Sequence, residues 1–390
     1  MKIGILGSGP SSLYAAILIK KRHPSYAIDI FDKEEKMAKK LRATGNGHAN
    51  IMPNEDNPFA YNDPKFMEGL LSSYPLSKRI ESFYEMGVSV NKKEGQGYYP
   101  TSDNANQFAS YLLDIAVSLG IDLHRATAIK DYEKRESGYF FLTSDGEYGP
   151  YDALIIAPGA KSGNNLGSDG NFVSVLEKHH YRFDSFRPGL CPIRVVGRKM
   201  KELSGIRHMA NVSLFSGGES FFLEQGEILY KDDGLSGIVI MNASSAIARK
   251  KLKDVTIFID LFPGKTHEEL CREIKKIEKA SPRFFLDSLL PRPLANHVID
   301  RAKRTQGIEW ISLLAKTMKG LDYCYKENYP FLFSQVSVGG LELDQIESTF
   351  ESKIEKSVYF AGEILNIDGE CGGYNLLFDL LNALRIADSL

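Results

Sequence analysis

The sequence predicts an α/β fold in which a parallel-stranded, Rossmann-like domain is interrupted by a β-rich insertion and then a helical one. Three observations predict it. An apolar run, Lys2–Leu6, passes through a glycine turn into helical spacing over 12–21 and then a second apolar run, Ala27–Phe31. Strand, helix and strand within about 30 residues is a βαβ unit, and its parallel strands need a covering layer on both faces. From 190 to 262 the pattern changes to short β-like runs separated by Gly217-Gly218, Asp233-Gly234 and Ser236-Gly237, which predicts a barrel or sandwich. From 266 to 320 it changes again, to helical periodicity.

The remaining elements follow in order. Residues 33–60 are polar, contain glycine and show no clear period. A stretch of that length inside a domain is usually functional or disordered. Helical spacing resumes over 64–87 and 104–119, and 121–149 alternates around Gly and Asp-Gly turns, which predicts a small antiparallel meander. Residues 152–157 form a buried strand ending at Pro158-Gly159. Thr266-x-x-Glu269 is a capping box that opens a helix through Leu270, Ile274 and Ile277. Further helices are expected around 284–303 and 308–317, broken by Pro291 and Pro293. A β pattern returns over 331–343, the last strand covers 358–362 and the last helix about 375–389.

Bulk composition narrows the class. The 390 residues exceed one ordinary core and imply two or three domains. A hydrophobic share of 43% and a charged share of 25% are those of a globular chain. The net charge of −2 gives no global reason to expect nucleic acid or an anionic membrane, although net charge ignores local stripes. Cys191, Cys271, Cys324 and Cys371 form no C-x-x-C pair, which argues against a disulfide scaffold or zinc ribbon and fits a reducing, cytoplasmic setting. No signal peptide is visible, no run reaches about 18 apolar residues, and no metal site is expected.

Two segments carry the chemistry. Gly7-x-Gly9-x-x-Ser12 follows a strand and opens a helix, with Pro10 and Ser11 inside the turn. The first glycine permits the turn, the second admits a pyrophosphate, and the third position needs a small residue, which Ser12 is. The helix start then presents N–H groups to phosphate. Asp32, at the end of the second strand and about 20 residues on, fits a ribose-binding acid; it also reads as an ordinary cap in Asp32-Lys33-Glu34-Glu35. Near the other end, Tyr359-Phe360-Ala361-Gly362-Glu363 leads to Asp368 and Gly372-Gly373-Tyr374-Asn375 before the last helix. A carboxylate there suits a ribityl hydroxyl, and amides at a helix start suit negative charge on a reduced ring system; an ordinary glycine junction is the plainer alternative. Thr44-Gly45-Asn46-Gly47-His48-Ala49-Asn50 would let backbone approach a flat ring, yet Asn-Gly is also a common surface turn, and His48 alone reads as structural. His179-His180 and Arg249-Lys250-Lys251-Leu252-Lys253 read as solvated surface, and no H-E-x-x-H, G-x-S-x-G or Walker lysine motif supports a hydrolase or kinase.

Taken together, these segments resemble the aminoacetone oxidase-like flavoproteins, a family of NAD(P)/FAD-dependent oxidoreductases with a glutathione-reductase-like FAD domain carrying a β-barrel and a helical domain. The resemblance rests on Lys39-Lys40, the 45–50 loop, Tyr98-Tyr99-Pro100-Thr101-Ser102, Ile155-Ile156-Ala157-Pro158-Gly159-Ala160-Lys161-Ser162, Gly234-Leu235-Ser236-Gly237, and the closing segment from Val338-Gly339-Gly340 to Asn375. It runs in order over nearly the whole chain. His48 and Ala49 stand where the family loop has arginine and cysteine, so no substrate carries over.

The resemblance implies an FAD domain of 1–186 and 334–390, a barrel domain of 187–264 and 321–333, and a helical cap of 265–320. It places pyrophosphate on Gly7, Gly9, Pro10, Ser11 and Ser12, and the adenosine ribose on Asp32, with Lys33 beside it. Adenine would meet backbone near Ile129. The ring would lie between Thr44, Gly45, Asn46, Gly47 and the Gly372, Gly373, Tyr374, Asn375 turn. Lys40, Asn50, Pro158, Gly159, Gly362 and Glu363 would line the same cofactor, and Asp368 would take the ribityl chain. No acid or base is assigned; Tyr374 and His48 are candidates by location only. The implied function is FAD-dependent oxidation or reduction of a small molecule, with the helical domain capping the substrate side. NAD(P)H is a candidate reductant, although no second G-x-G-x-x-G marks a separate domain for it. Two alternatives are a flavin-dependent RNA-modifying enzyme and a nucleotide-binding regulatory protein whose redox activity is altered.

Overall fold

Lys2–Leu6 is the centre of the first unit because Ile3 and Ile5 are fully buried and both flanks are paired. It runs parallel to Ala27–Phe31 on one side and Ala153–Ile156 on the other. Asp122–His124 and Val358–Phe360 complete a five-stranded parallel sheet as its two edges. The computed structural model describes residues 1–197, 200–281, 284–302 and 309–390. Its two compact units are Met1–Arg187 with Gln335–Leu390, and Pro188–Ser334.

In the first unit the helix Pro10–Arg22 buries every residue from Ser11 to Ile19, and the closing helix Tyr374–Ala387 packs against it. Each fully buried Leu or Ile contributes about 1.5–3 kcal/mol. A three-stranded meander, Asp131–Arg135, Gly138–Leu142 and Glu147–Tyr151, packs on the sheet through the rings of Phe31, Phe141 and Tyr151. Asp122–His124 was expected within that meander and joins the parallel sheet instead, since alternation alone does not set the direction of pairing. The helical span 64–87 is two helices, Pro64–Ser73 and Leu76–Glu85. The break falls at Pro75, which has no N–H to continue the ladder.

The second unit is a closed six-stranded antiparallel barrel, ordered Ile193–Val196, Gly234–Ser236, Glu219–Lys231, Arg207–Ser216, Thr256–Asp260, Leu321–Asn328. The stretch read as wholly β also contains a helix, Ile238–Lys250, whose Val239, Ile240, Ala243 and Ile247 enter the barrel core. Its β-branched start masks the helical period. His267–Ala280 begins at the expected capping box, with Thr266 and Glu269 each bonding the other's backbone. The expected break falls at Pro291, between a short 3-10 turn Phe285–Ser288 and the helix Arg292–Ala302, whereas Pro293 sits in the first turn of that helix, where a missing N–H costs nothing. Trp310–Lys319 follows, and the expected end at 303 and start at 308 lie outside the described residues. Among the described residues no helix is long and apolar enough to cross a membrane.

Candidate functional site

The N-terminal turn is set by Gly7, whose φ of +97° suits glycine, and where a Cβ would stand 2.0 Å from the Ala157 carbonyl oxygen. Gly9 caps the helix Pro10–Arg22 without a side-chain bond, Pro10 fills the first helical position, and the first turn holds no acid. The free N–H groups therefore keep their partial positive charge. Nothing lies within 4 Å of the Cβ position at Gly9, so backbone here is open to a close ligand. Ser11 and Ser12 are buried, and Ser12 Oγ has no hydrogen-bond partner.

Asp32 follows on the neighbouring strand. Ser8 Oγ donates to Asp32 and accepts from the Ala38 N–H at 2.9 Å, while Asp32 Oδ1 accepts from the Glu34 N–H at 2.9 Å. Burial pushes the Asp32 carboxyl above its ordinary value, against the hydrogen bonds from Ser8 and the Glu34 N–H that lower it. The Thr127 N–H donates to the Asp32 carbonyl at 2.8 Å, which brings the buried Ile129 segment alongside. Lys33 turns outward and pairs with Asp169.

A second cluster joins distant segments. Lys40 pairs with Glu363 and donates to Ser162 Oγ. Glu363 Oε1 accepts from Ser162 Oγ at 2.5 Å and the Ser337 N–H at 2.7 Å. Ser337 Oγ in turn accepts from the Lys161 and Ser162 N–H groups at 3.0 and 2.9 Å. The Pro158-Gly159 loop is thereby tied to the Gly362-Glu363 turn.

The 44–50 loop folds as a tight turn, with Gly45 and Asn46 left-handed and Thr44 Oγ1 donating to the Leu41 carbonyl at 2.7 Å. His48 lies at the surface, 3.1 Å from Asp103, whereas Ala49 is fully buried. Asn50 Nδ2 donates to the Gln96 carbonyl at 3.1 Å, and its buried Oδ1 has no partner. A Cβ at Gly373 would stand 2.6 Å from that Oδ1. Gly373, with φ of +99°, starts the closing helix, again with no side-chain cap and no acid in the first turn.

The approach to that second helix start is pinned by residues that sequence reading missed. Asn62 accepts from the Asp368 N–H and donates to the Asn366 carbonyl, both at 2.9 Å. Tyr61 stacks edge-on against Tyr374, ring centres 5.5 Å apart, and donates to its carbonyl at 2.8 Å. The Asn375 amide exchanges bonds with the Gly369 backbone at 2.9 Å, and Asp368 is buried just before Gly372. Ser8, inside the glycine turn, is given no role by the sequence reading, although its position beside Gly7 and Gly9 could have marked it; Asn62 carries no local signal. His179, read as surface, is instead half-buried, stacked on Tyr132 at 4.0 Å and bracketed by Asp131 and Glu355.

The first unit thus presents two helix starts, at Gly9 and Gly373, with a buried carboxyl and an unpartnered amide oxygen near them. Among the described residues no cluster of His, Cys, Asp or Glu is arranged to hold a metal. The barrel has an open cavity of about 770 Å³, but its lining, which includes Phe215, Lys253 and Phe258, contains none of these residues.

The family model described as "HI0933-like protein Rossmann domain" matches residues 1–387. The 3-dehydro-bile acid delta(4,6)-reductase of Clostridium scindens is 25% identical over 392 residues, covering 96% of this chain and 95% of that protein. The ribosomal RNA dihydrouridine synthase of Haemophilus influenzae is 25% identical over 405 residues, covering 99% and 97%. Among solved structures, a 3-ketosteroid delta1-dehydrogenase from Sterolibacterium denitrificans aligns over 100% of this chain and 99% of that one, with 9% identity and a TM-score of 0.49.

Proposed function

The chain belongs to the HI0933-like, aminoacetone oxidase-like family of FAD-dependent Rossmann-domain oxidoreductases, and from that premise we propose that its first unit holds FAD and reduces a small molecule bearing a carbon–carbon double bond conjugated to a carbonyl. The observation that carries the cofactor assignment is the pair of uncapped, glycine-started helices at Gly9 and Gly373 within one unit. A nicotinamide dinucleotide has use for the first alone.

In this reading the Gly7–Ser12 amides hold the pyrophosphate and Asp32 bonds the adenosine ribose, with Lys33 at the rim and the Ile129 backbone beside adenine. Lys40, Pro158, Gly159, Gly362 and Glu363 form the wall between the two helix starts. Asp368 takes the ribityl hydroxyls. Thr44, Gly45, Asn46 and Gly47 would lie on one side of the ring and Gly372, Gly373, Tyr374 and Asn375 on the other, with Asn50, whose Oδ1 stands against Gly373, at the edge where the two segments meet. The open backbone at Gly9 and the partnerless Asn50 Oδ1 fit such a ligand. Bound FAD supplies two-electron transfer; the protein supplies orientation and charge. The Gly373 helix start favours negative charge on the reduced ring. NAD(P)H is the proposed reductant. Residues 265–320 are taken as a helical domain distinct from the barrel.

The reaction class rests on what the two relatives' names share. A delta(4,6)-reductase of a 3-dehydro-bile acid and a dihydrouridine synthase both saturate a double bond conjugated to a carbonyl. The test is the spectrum of the purified protein, followed by anaerobic reduction with NAD(P)H and reoxidation by conjugated enones. A colourless protein that takes up no FAD sinks the cofactor reading. A reduced flavin that no enone reoxidises sinks the reaction class.

One observation favours a second reading, RNA as the substrate. Residues 188–334 hold 23 Lys and Arg against 17 Asp and Glu, although the whole chain is acidic. A basic stretch within an acidic chain is a charge asymmetry of the kind that suggests nucleic-acid binding. Binding of ribosomal RNA that weakens steeply with salt supports it; no binding at low salt removes it.

A further inference from the structure

We infer that Asp379 braces the pyrophosphate turn and must carry a proton when FAD is in place, so that cofactor binding takes up a proton. The inference rests on the FAD reading above. Asp379 lies in the second turn of the closing helix and accepts a hydrogen bond from Ser11 Oγ. Ser11 is the second residue of the helix whose start faces the pyrophosphate. Gly362 closes the third side: a Cβ there would stand 2.6 Å from Ser11 Oγ and 3.3 Å from Asp379 Oδ1. A carboxyl is therefore built into the floor of an anion site.

The surrounding groups do not neutralise it. Ser11 and Tyr14 face it from the first helix, Lys40 from the helix Lys39–Arg42, Glu363 from the turn Gly362–Ile364, and Tyr61 from the segment before Asn62. Lys40 is the one cation in that set, and it is already committed to Glu363. Burial pushes the Asp379 carboxyl up to about 7, with Glu363 adding to the rise and Ser11 and Lys40 opposing it. A pyrophosphate brings further negative charge, which disfavours the carboxylate again.

The consequence is a proton-linked affinity. Below the apo titration the carboxyl is already neutral, and the FAD dissociation constant is flat. Above it, each pH unit weakens binding by up to about tenfold, because the proton must be taken from solution. In Asp379→Asn the oxygen that accepts from Ser11 is kept and the charge is gone.

The experiment is FAD titration of the apoprotein by flavin fluorescence, from about pH 6 to about pH 8.5. The expected result is a dissociation constant that is flat at the acid end and rises by about tenfold or more at the alkaline end, with a flat profile for Asp379→Asn. Ser11→Ala, which removes the donor that favours the carboxylate, moves the break to higher pH. A flat wild-type profile, or an Asp379→Asn variant that keeps the wild-type slope, overturns the inference while leaving FAD binding intact. No FAD binding at any pH overturns this inference and the cofactor reading together.

Discussion

Asp379→Asn also has a consequence for folding that needs no cofactor. The carboxyl moves from an ordinary 3.8 in the open chain to about 7 in the folded one, chiefly through burial. Each unit is worth about 1.4 kcal/mol, so the rise of about three units sets a ceiling of about 4 kcal/mol. The sign follows from proton counts. Between about pH 4 and about pH 7 the native state holds this proton and the unfolded state does not, so wild-type stability falls with rising pH across that window and this contribution is flat on either side. The amide cannot ionise and escapes the loss. The variant is therefore expected to match wild type near pH 4 and to exceed it at pH 8 by about 2–4 kcal/mol, the lower end because Asp379 retains some accessible surface. Urea unfolding of the apoprotein, read through amide exchange in the helix 374–387, isolates the first unit. A variant–wild-type difference that is the same at both pH values, or a variant less stable at pH 8, refutes the reasoning.

Other perturbations reach different parts of the same unit. Gly7→Ala forces a Cβ to within 2.0 Å of the Ala157 carbonyl at a φ of +97°, and should cost about 3 kcal/mol or more and abolish FAD retention, read by thermal unfolding and flavin absorbance. Asn62→Ala removes two bonds and leaves the Asp368 N–H without its acceptor; a loss of about 2–3 kcal/mol is expected, and an unchanged melting temperature would show the clamp to be dispensable. Asp32→Asn keeps an acceptor for Ser8 and Glu34 but loses the charge, so FAD affinity should drop about tenfold or more with little change in fold; equal affinity by fluorescence titration would move the ribose elsewhere.

What was legible in the sequence was local. The strand Lys2–Leu6, the turn at Gly7 and the helix after Gly9 are specified within a few residues, by apolar runs and by a backbone that suits glycine. The capping box at Thr266 and Glu269 is equally self-contained. What failed needed distant partners or a competing local signal. Ile238-Val239-Ile240 is β-branched, and only packing inside the barrel makes it the start of a helix. His179 has no neighbour in sequence to mark it, and its two carboxylates come from the meander and the segment before the last parallel strand. Asn62 meets Asp368 only through the long-range pairing of Tyr61 with Gly369, which no local pattern marks.

The pair Ser11 and Asp379 shows why this limit bears on function. A glycine turn before a helix reads as an anion site because the helix start is positive. That reading treats the site as belonging to one segment. Here the closing helix places a carboxyl against the second residue of that start, and Lys40, the cation that acts on it, is held by Glu363. The electrostatic quality of the N-terminal turn is therefore decided by a residue near the other end of the chain and by its protonation. On the proposed FAD reading the two segments form one coupled site, in which the anion-binding power of the first would depend on the charge carried by the last.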